Sequence, residues 1–265
     1  MTVDAITLAI SPCPNDTFVF DAWVNGRLTG APAVDCRLED IDRLNRLALE
    51  DGIDVVKVSF YTCAMVRDRY ELLNAGGALG RGCGPLVVTR PGMNSFDAAE
   101  AEGITVAVPG RWTTANLLFS LWRPELKRKV VMRFDEIMPA VSRGEVDAGV
   151  IIHEGRFTFQ QYGLAVQEDL GAWWERTTGH PIPLGGIIAR KSLGREVIRQ
   201  VESVICRSCR AAFDNPLTPR PFMRAHAREM DDSVMQQHVD LYVNRHSLDY
   251  GEDGRRAIDF LVQRA

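Results

Sequence analysis

Short apolar runs rich in Val and Ile alternate along the chain with amphipathic stretches, the pattern of an α/β fold whose strands are largely buried. The runs predict strands over residues 7–10, 53–59, 84–89, 104–108, 130–134, 148–153 and 183–189. Between them Leu44, Leu47 and Ala48 share one helical face before Gly52, and Ile137 and Val141 share another before Gly144. From Leu193 onward the periodicity is helical only, over residues 197–213, 220–230, 233–243 and 255–262, with breaks at Asn215-Pro216 and Arg220-Pro221.

Two places echo each other. Glu50-Asp51-Gly52-Ile53-Asp54-Val55-Val56 runs helix end, glycine, acid, strand, and Ser142-Arg143-Gly144-Glu145-Val146-Asp147-Ala148-Gly149-Val150 does the same with one residue more. Two lobes, each with its own central sheet, would account for the echo, and so would a chance match between short α/β units. An α/β body closed by a helical tail suits a two-lobed plan. Residues 1–90 and 187–265 would form a larger lobe and residues 91–186 a smaller one, with a ligand cleft between them. Residues 85–90 and 183–190 would be the crossings. The glycine-rich run Gly76 to Gly84 leads into a strand and reads as a flexible approach to the first of them.

The chain has 265 residues, with 31 Lys and Arg against 35 Asp and Glu, a formal charge of −4. Without a basic excess to neutralise phosphates, no nucleic-acid partner is expected. The first ten residues lack a basic region and reach Pro12 early, no apolar run approaches a membrane span, and a cytoplasmic location without membrane attachment follows as an expectation. Six cysteines are too sparse for a disulfide scaffold and are expected as thiols. Cys206 and Cys209 form the one CxxC pair. No second pair or HxxxH accompanies it, so helix packing is the better reading and no metal is expected.

In open α/β sheets ligands gather beyond the carboxyl ends of strands, and four such ends carry polar residues. In Ser11-Pro12-Cys13-Pro14-Asn15-Asp16-Thr17, Asn15 or Asp16 caps the following helix or turns to a ligand. In Lys57-Val58-Ser59, a lysine inside a buried strand needs a partner for its ammonium or a polar cleft. Pro109-Gly110-Arg111-Trp112-Thr113-Thr114 offers hydroxyls and main-chain N–H groups at a helix start, suited to a carboxylate, with ordinary capping as the alternative. His153 ends a buried strand beside Glu154 and titrates where a general base works. His180, His226, His238 and His246 fall in loops or helices, with weaker claims. GxSxG, HExxH and a strand-borne GxGxxG are all missing.

Taken together, Ser11 to Phe18, Lys57 to Ser59, Gly80 to Leu86, Pro109 to Thr114, Asp135 to Pro139, Gly144 to Glu154, Pro183 to Gly186 and Leu241 to Asn244 resemble the 1,4-dihydroxy-6-naphthoate synthases of the futalosine route to menaquinone. The resemblance implies a fold like type II periplasmic binding proteins. It implies a lyase that converts cyclic dehypoxanthine futalosine to 1,4-dihydroxy-6-naphthoate, with His153 as proton acceptor and no metal or redox cofactor. The partner would be a small-molecule substrate, with Lys57, Val58, Ser59, Thr113 and Thr114 matching the family's binding segments, and Asn15 and Asp16, read from their own strand end, completing the expected substrate-binding set. Gly155 departs from the serine associated with that position.

Two other readings are weighed against this one. Chorismate dehydratase shares the fold and pathway, but the segment Val150 to Phe157 favours the naphthoate synthases. A non-catalytic solute receptor shares the fold, but such proteins are exported and no export signal is seen. The helical tail is compatible with a homodimer.

Overall fold

The computed structural model describes residues 5–93, 103–227 and 231–265; residues 1–4 of the N-terminal reading and 228–230 of the predicted 220–230 helix lie outside them. The chain divides into two compact units, Met1–Gly80 with Pro183–Ala265, and Arg81–Ile182.

The first unit opens with β1 (Ile6–Ile10), α1 (Pro14–Val24), β2 (Val34–Leu38), α2 (Ile41–Leu49), β3 (Val55–Ser59), α3 (Phe60–Met65), β4 (Tyr70–Leu72) and β5 (Ala78–Gly80). The second holds β6 (Leu86–Thr89), β7 (Val106–Val108), α4 (Thr114–Trp122), β8 (Lys129–Val131), α5 (Phe134–Arg143), β9 (Ala148–Ile151), α6 (Gly155–Thr158), β10 (Ala165–Asp169) and α7 (Leu170–Thr178). β11 (Ile182–Arg190) brings the chain back, and α8 (Arg195–Asp214), α9 (Arg220–His226), α10 (Asp232–Tyr242), α11 (Arg245–Leu248) and α12 (Gly251–Val262) complete the first unit.

Each unit has its own sheet, and the two sheets repeat one plan. The first runs β2-β1-β3-β11-β4, with β5 also paired to β11; the second, taken from its far edge, runs β8-β7-β9-β6-β10. In both, three parallel strands are followed by antiparallel ones. The sequence echo belongs to this repeat and extends beyond it. Asp54 Oδ2 accepts from Thr7 N (3.1 Å) and Thr7 Oγ1 (2.7 Å), and Asp147 Oδ2 accepts from Thr105 N (2.8 Å). In each unit an acid just ahead of the third parallel strand thus ties down the start of the middle one. The turn before that acid is left-handed in both, at Asp51 (φ 57°) and Gly144 (φ 76°). An arginine at the end of the antiparallel neighbour reaches the same corner: Arg190 donates to Asp51 O, and Arg90 to Val141 O and Val146 O. The same hydrogen bonds thus recur at matching positions of the two sheets.

The core of the first unit explains α1, ten of whose eleven residues are buried. A helix buried on every side, its polar residues included, needs cover on every side. β1 supplies Ile6, Leu8 and Ile10, α8 supplies Ile198, Val201, Ile205 and Cys209, and α9 and α10 add Met223, Met235 and Val239. Cys206 packs against the same cluster, so the CxxC pair is a packing feature of α8. In the second unit Leu86, Val88, Ala107 and Ile151 of the sheet close on Ile137, Met138 and Val141 of α5.

Several local expectations are corrected. Cys13 is the N-cap of α1 and Pro14 its first residue, so Asn15 and Asp16 lie inside the first turn and do not cap it. The strand predicted over 130–134 stops at Val131, because Phe134 starts α5. β9 ends at Ile151, two residues short of His153. β2, β4, β5 and β10 were not predicted: β2 and β10 are sheet edges with no fully buried residue and lack the continuous apolar run of a central strand, while β4 and β5 are only three residues long. The run Gly76 to Gly84 is not a flexible approach, for it contains β5 and packs tightly at its end. A Cβ on Gly84 would lie 2.2 Å from Gly171 N and 2.3 Å from Gly171 Cα, main-chain atoms that cannot swing aside. Among the described residues no helix is long and apolar enough to cross a membrane.

Two predictions follow from this packing. Gly84→Ala forces two main-chain segments apart and should lower stability by about 3 kcal/mol, read as a reduced urea midpoint; an unchanged midpoint would contradict the close approach. All six cysteines are free, and desolvation pushes the buried thiols of Cys63, Cys83 and Cys209 up to about 12 from 9.0. Below pH 9 these thiols are protonated whether the chain is folded or not. Above pH 9 the unfolded chain loses protons that the folded chain keeps, so stability should fall as pH rises from 9 toward 12. Urea midpoints at pH 8 and 10.5 test this, and a constant midpoint would count against it.

Candidate functional site

The four sequence-predicted segments occupy matching places in the repeat. In the first unit, residues 11–16 follow β1 and Ser59 ends β3, its parallel neighbour. In the second, residues 109–114 follow β7 and residues 152–155 follow β9, again parallel neighbours. Because paired parallel strands end on the same edge of a sheet, each unit gathers two segments at one edge.

In the first unit Lys57 is 5% exposed and Asp16 1%, and Lys57 Nζ meets Asp16 Oδ1 at 2.8 Å. The lysine thus answers its burial with a partner. Breaking such a pair from one side costs about 3–5 kcal/mol, because the remaining charge stays buried. Every oxygen of the carboxylate is used. Oδ1 also accepts from Asn15 Nδ2 at 2.9 Å, while Oδ2 accepts from Ser11 N (3.1 Å) and Ser11 Oγ (2.7 Å). Lys57 Nζ further donates to Gly76 O at 3.2 Å. The network ends on His238 of α10, whose Nε2 lies 3.0 Å from Asn15 Oδ1. Since the Asn15 amide nitrogen already faces Asp16, its oxygen must accept, and His238 is the donor.

Ser59 stands apart from this network. Its N–H donates to Asn45 Oδ1 at 2.9 Å and its hydroxyl accepts from Asn45 Nδ2 at 3.2 Å, joining the end of β3 to α2. Val58 is wholly buried and pairs with Gly186 of β11.

In the second unit Thr113 caps α4. Its hydroxyl accepts from Asn116 N at 3.2 Å and donates to Gly110 O at 2.8 Å, so the hydroxyl is committed. Thr114, 3% exposed, is the first helical residue. His153 lies two residues past β9 at φ 56°, the left-handed region that a residue with a Cβ seldom enters. Such a conformation costs roughly 1–3 kcal/mol and persists only where the surroundings impose it. The ring is half-buried and meets Phe134 edge-on, with centroids 4.9 Å apart. Directly downstream, Arg156 anchors the turn through Nη1 to Gly84 O (2.8 Å) and Nη2 to Asp169 Oδ2 (2.6 Å). The other oxygen of Asp169 caps α7 through Gly171 N and Ala172 N. Glu154 Oε2 is buried with no hydrogen-bond partner among the described residues, leaving an acceptor beside the histidine. At Gly155 a Cβ would find ordinary contacts, 3.5 Å to Met138 Cε, so packing does not compel glycine there.

Asn15, Asp16 and Lys57 are therefore brought together, Ser59 bonds elsewhere, and Thr113, Thr114 and His153 stand at neighbouring strand ends of the second unit. Sequence reasoning quoted Ser11 only as part of its strand-end segment, without a role, and ranked His238 among the histidines with weaker claims. Ser11 could have been found from its place at a strand end, but no local signal ties His238 to a loop more than two hundred residues away.

Comparison with known proteins agrees with this fold. The family described as "Menaquinone biosynthesis" matches residues 6–265. A 1,4-dihydroxy-6-naphtoate synthase of Streptomyces coelicolor is 51% identical over 270 residues, covering all of this chain and 94% of that protein. One from Thermus thermophilus is 49% identical over 263 residues, covering 99% of this chain and 94% of the other. Among solved structures, protein AF1704 from Archaeoglobus fulgidus superposes with a TM-score of 0.89 at 33% identity, covering 98% of this chain and 96% of its own. The periplasmic aliphatic sulphonate binding protein SsuA of Escherichia coli reaches a TM-score of 0.64 at 12% identity, covering 98% of this chain and 87% of its own, a likeness of fold alone. With a periplasmic-binding-protein-like α/β fold and full-length relatives at about half identity, the chain belongs to the menaquinone biosynthesis family.

Proposed function

We propose that this chain is a cytoplasmic carbon–carbon lyase that converts cyclic dehypoxanthine futalosine to 1,4-dihydroxy-6-naphthoate, with His153 as general base. The conversion removes a proton, cleaves a carbon–carbon bond and releases the sugar-derived portion of the substrate as the second product, and the gain of aromaticity drives it. One well-placed base suffices for such a step. The observation that carries the reading is the left-handed His153 at the end of β9. A non-glycine residue held in that conformation, beside a ring that limits its swing and ahead of an arginine-anchored turn, is fixed in orientation before substrate arrives. The family relatives named for naphthoate synthesis support the product.

The other candidates take binding roles. Lys57 Nζ has three N–H donors, of which Asp16 and Gly76 use two, and the third is unclaimed among the described residues. It suits a substrate oxygen. Ser59 and Val58 would offer contacts at the end of the same strand, while Asp16 and Asn15 act by holding Lys57. The start of α4 at Thr113 and Thr114 suits the substrate carboxylate through main-chain N–H groups, since the Thr113 hydroxyl is already committed.

Incubation of the purified chain with cyclic dehypoxanthine futalosine should yield 1,4-dihydroxy-6-naphthoate, detected by mass spectrometry. A folded protein that leaves the substrate intact would refute the assigned reaction. His153→Ala should fold as the wild type does and lose roughly 100- to 10,000-fold in kcat, the range of general-base catalysis. Turnover within a few-fold of wild type would remove His153 from the chemistry.

A further inference from the structure

The geometry points to His238 as a positioning residue for Lys57, acting through Asn15 and Asp16, an inference that rests on the proposed reaction for its kinetic test. His238 is 1% exposed and sits on α10, in the helical tail that covers α1. Its Nε2 donates to Asn15 Oδ1 (3.0 Å), Asn15 Nδ2 donates to Asp16 Oδ1 (2.9 Å), and the same oxygen takes the ammonium of Lys57 (2.8 Å). Every link of this chain is buried.

The amide of Asn15 is the weak link, because it has two orientations related by a half-turn. In one, its nitrogen faces Asp16 and supports the carboxylate. In the other, its oxygen would face a carboxylate oxygen, and like partial charges would repel at hydrogen-bond distance. The Asp16 carboxylate favours the first orientation, and an N–H at His238 Nε2, which satisfies the amide oxygen only there, locks it in place. Asp16 is then held by Ser11 on one oxygen and by Asn15 on the other, with no freedom to rotate away from Lys57. The direction of the ammonium's remaining N–H is set by where Asp16 Oδ1 and Gly76 O sit. A general base plays no part here: the histidine faces an amide oxygen, not a reacting atom.

The test compares His238→Phe, which keeps a ring but loses the donor, with His238→Gln, whose amide nitrogen reaches the place of Nε2. With cyclic dehypoxanthine futalosine as substrate, H238F should raise KM about tenfold or more while kcat stays within about threefold, and H238Q should recover most of that loss. The ammonium resonance of Lys57, followed by 1H–15N correlation without substrate, should be retained in H238Q and shifted or broadened in H238F. A purely structural histidine would lower the unfolding temperature without separating the two variants in KM or in the lysine signal, and that result overturns the inference. If H238F does not fold, a tenfold rise in KM in folded H238Q overturns it equally. If the wild-type chain shows no turnover, the assigned reaction fails, and the lysine resonance still decides the role of His238.

Discussion

A lysine ammonium placed in a fully buried strand must meet a partner or a polar cleft, and much of the first unit is arranged around the anion it meets. Lys57 lies in the all-buried β3, and its charge is balanced by Asp16 from the first turn of α1. Asp16 in turn requires donors on its remaining lone pairs, which draws in the main chain and hydroxyl of Ser11 and the amide of Asn15. The path of the loop after β1 follows from this, as does the burial of a helix start that would otherwise face water. α1 must then be covered on its outer side as well, and the C-terminal helices provide that cover together with His238. Such a buried pair adds little net stability when compared with an apolar replacement. What it provides is a cation held in one place.

The second unit solves a related problem by different means. It carries no buried lysine at the matching position. Its third parallel strand, β9, is wholly apolar, and the polar residues come immediately after it. Strain and anchoring do what the ion pair does in the first unit. His153 is turned into a left-handed conformation, Phe134 abuts its ring, and Arg156 binds the following turn to Gly84 and Asp169. Gly84, whose carbonyl takes Arg156, also packs closely against Gly171. The repeated sheet plan therefore presents two sets of strand-end loops, one around Lys57 and its partner Asp16 and the other around the left-handed His153.

The alternation of strands and helices, the four polar strand ends and the helical tail were all legible in the sequence, because each depends on residues close together along the chain. Apolar periodicity reports burial, and glycines at 52 and 144 mark helix ends whatever the rest of the chain does. The echo between residues 50–56 and 142–150 was visible for the same reason. Edge strands β2 and β10 were not, since a strand with one open side carries a mixed pattern that resembles a loop. The capping role read for Asn15 and Asp16 failed because local preference favours such residues at a helix start, whereas a charge 41 residues away claimed the carboxylate.

The sequence by itself thus determined the fold class, the family resemblance and the identity of the residues at the strand ends. It also determined that Lys57 had to find a partner or a polar cleft, since the cost of burying a charge does not depend on which fold surrounds it. Only the tertiary structure decided which partner that is. It alone brought His238 to Asn15 across 223 residues, committed the Thr113 hydroxyl to its own helix, and turned His153 into the left-handed region. The physical reason is that hydrogen bonds and backbone strain depend on where distant segments are packed, and hydrophobic periodicity records only that a residue is buried, not what it is buried against.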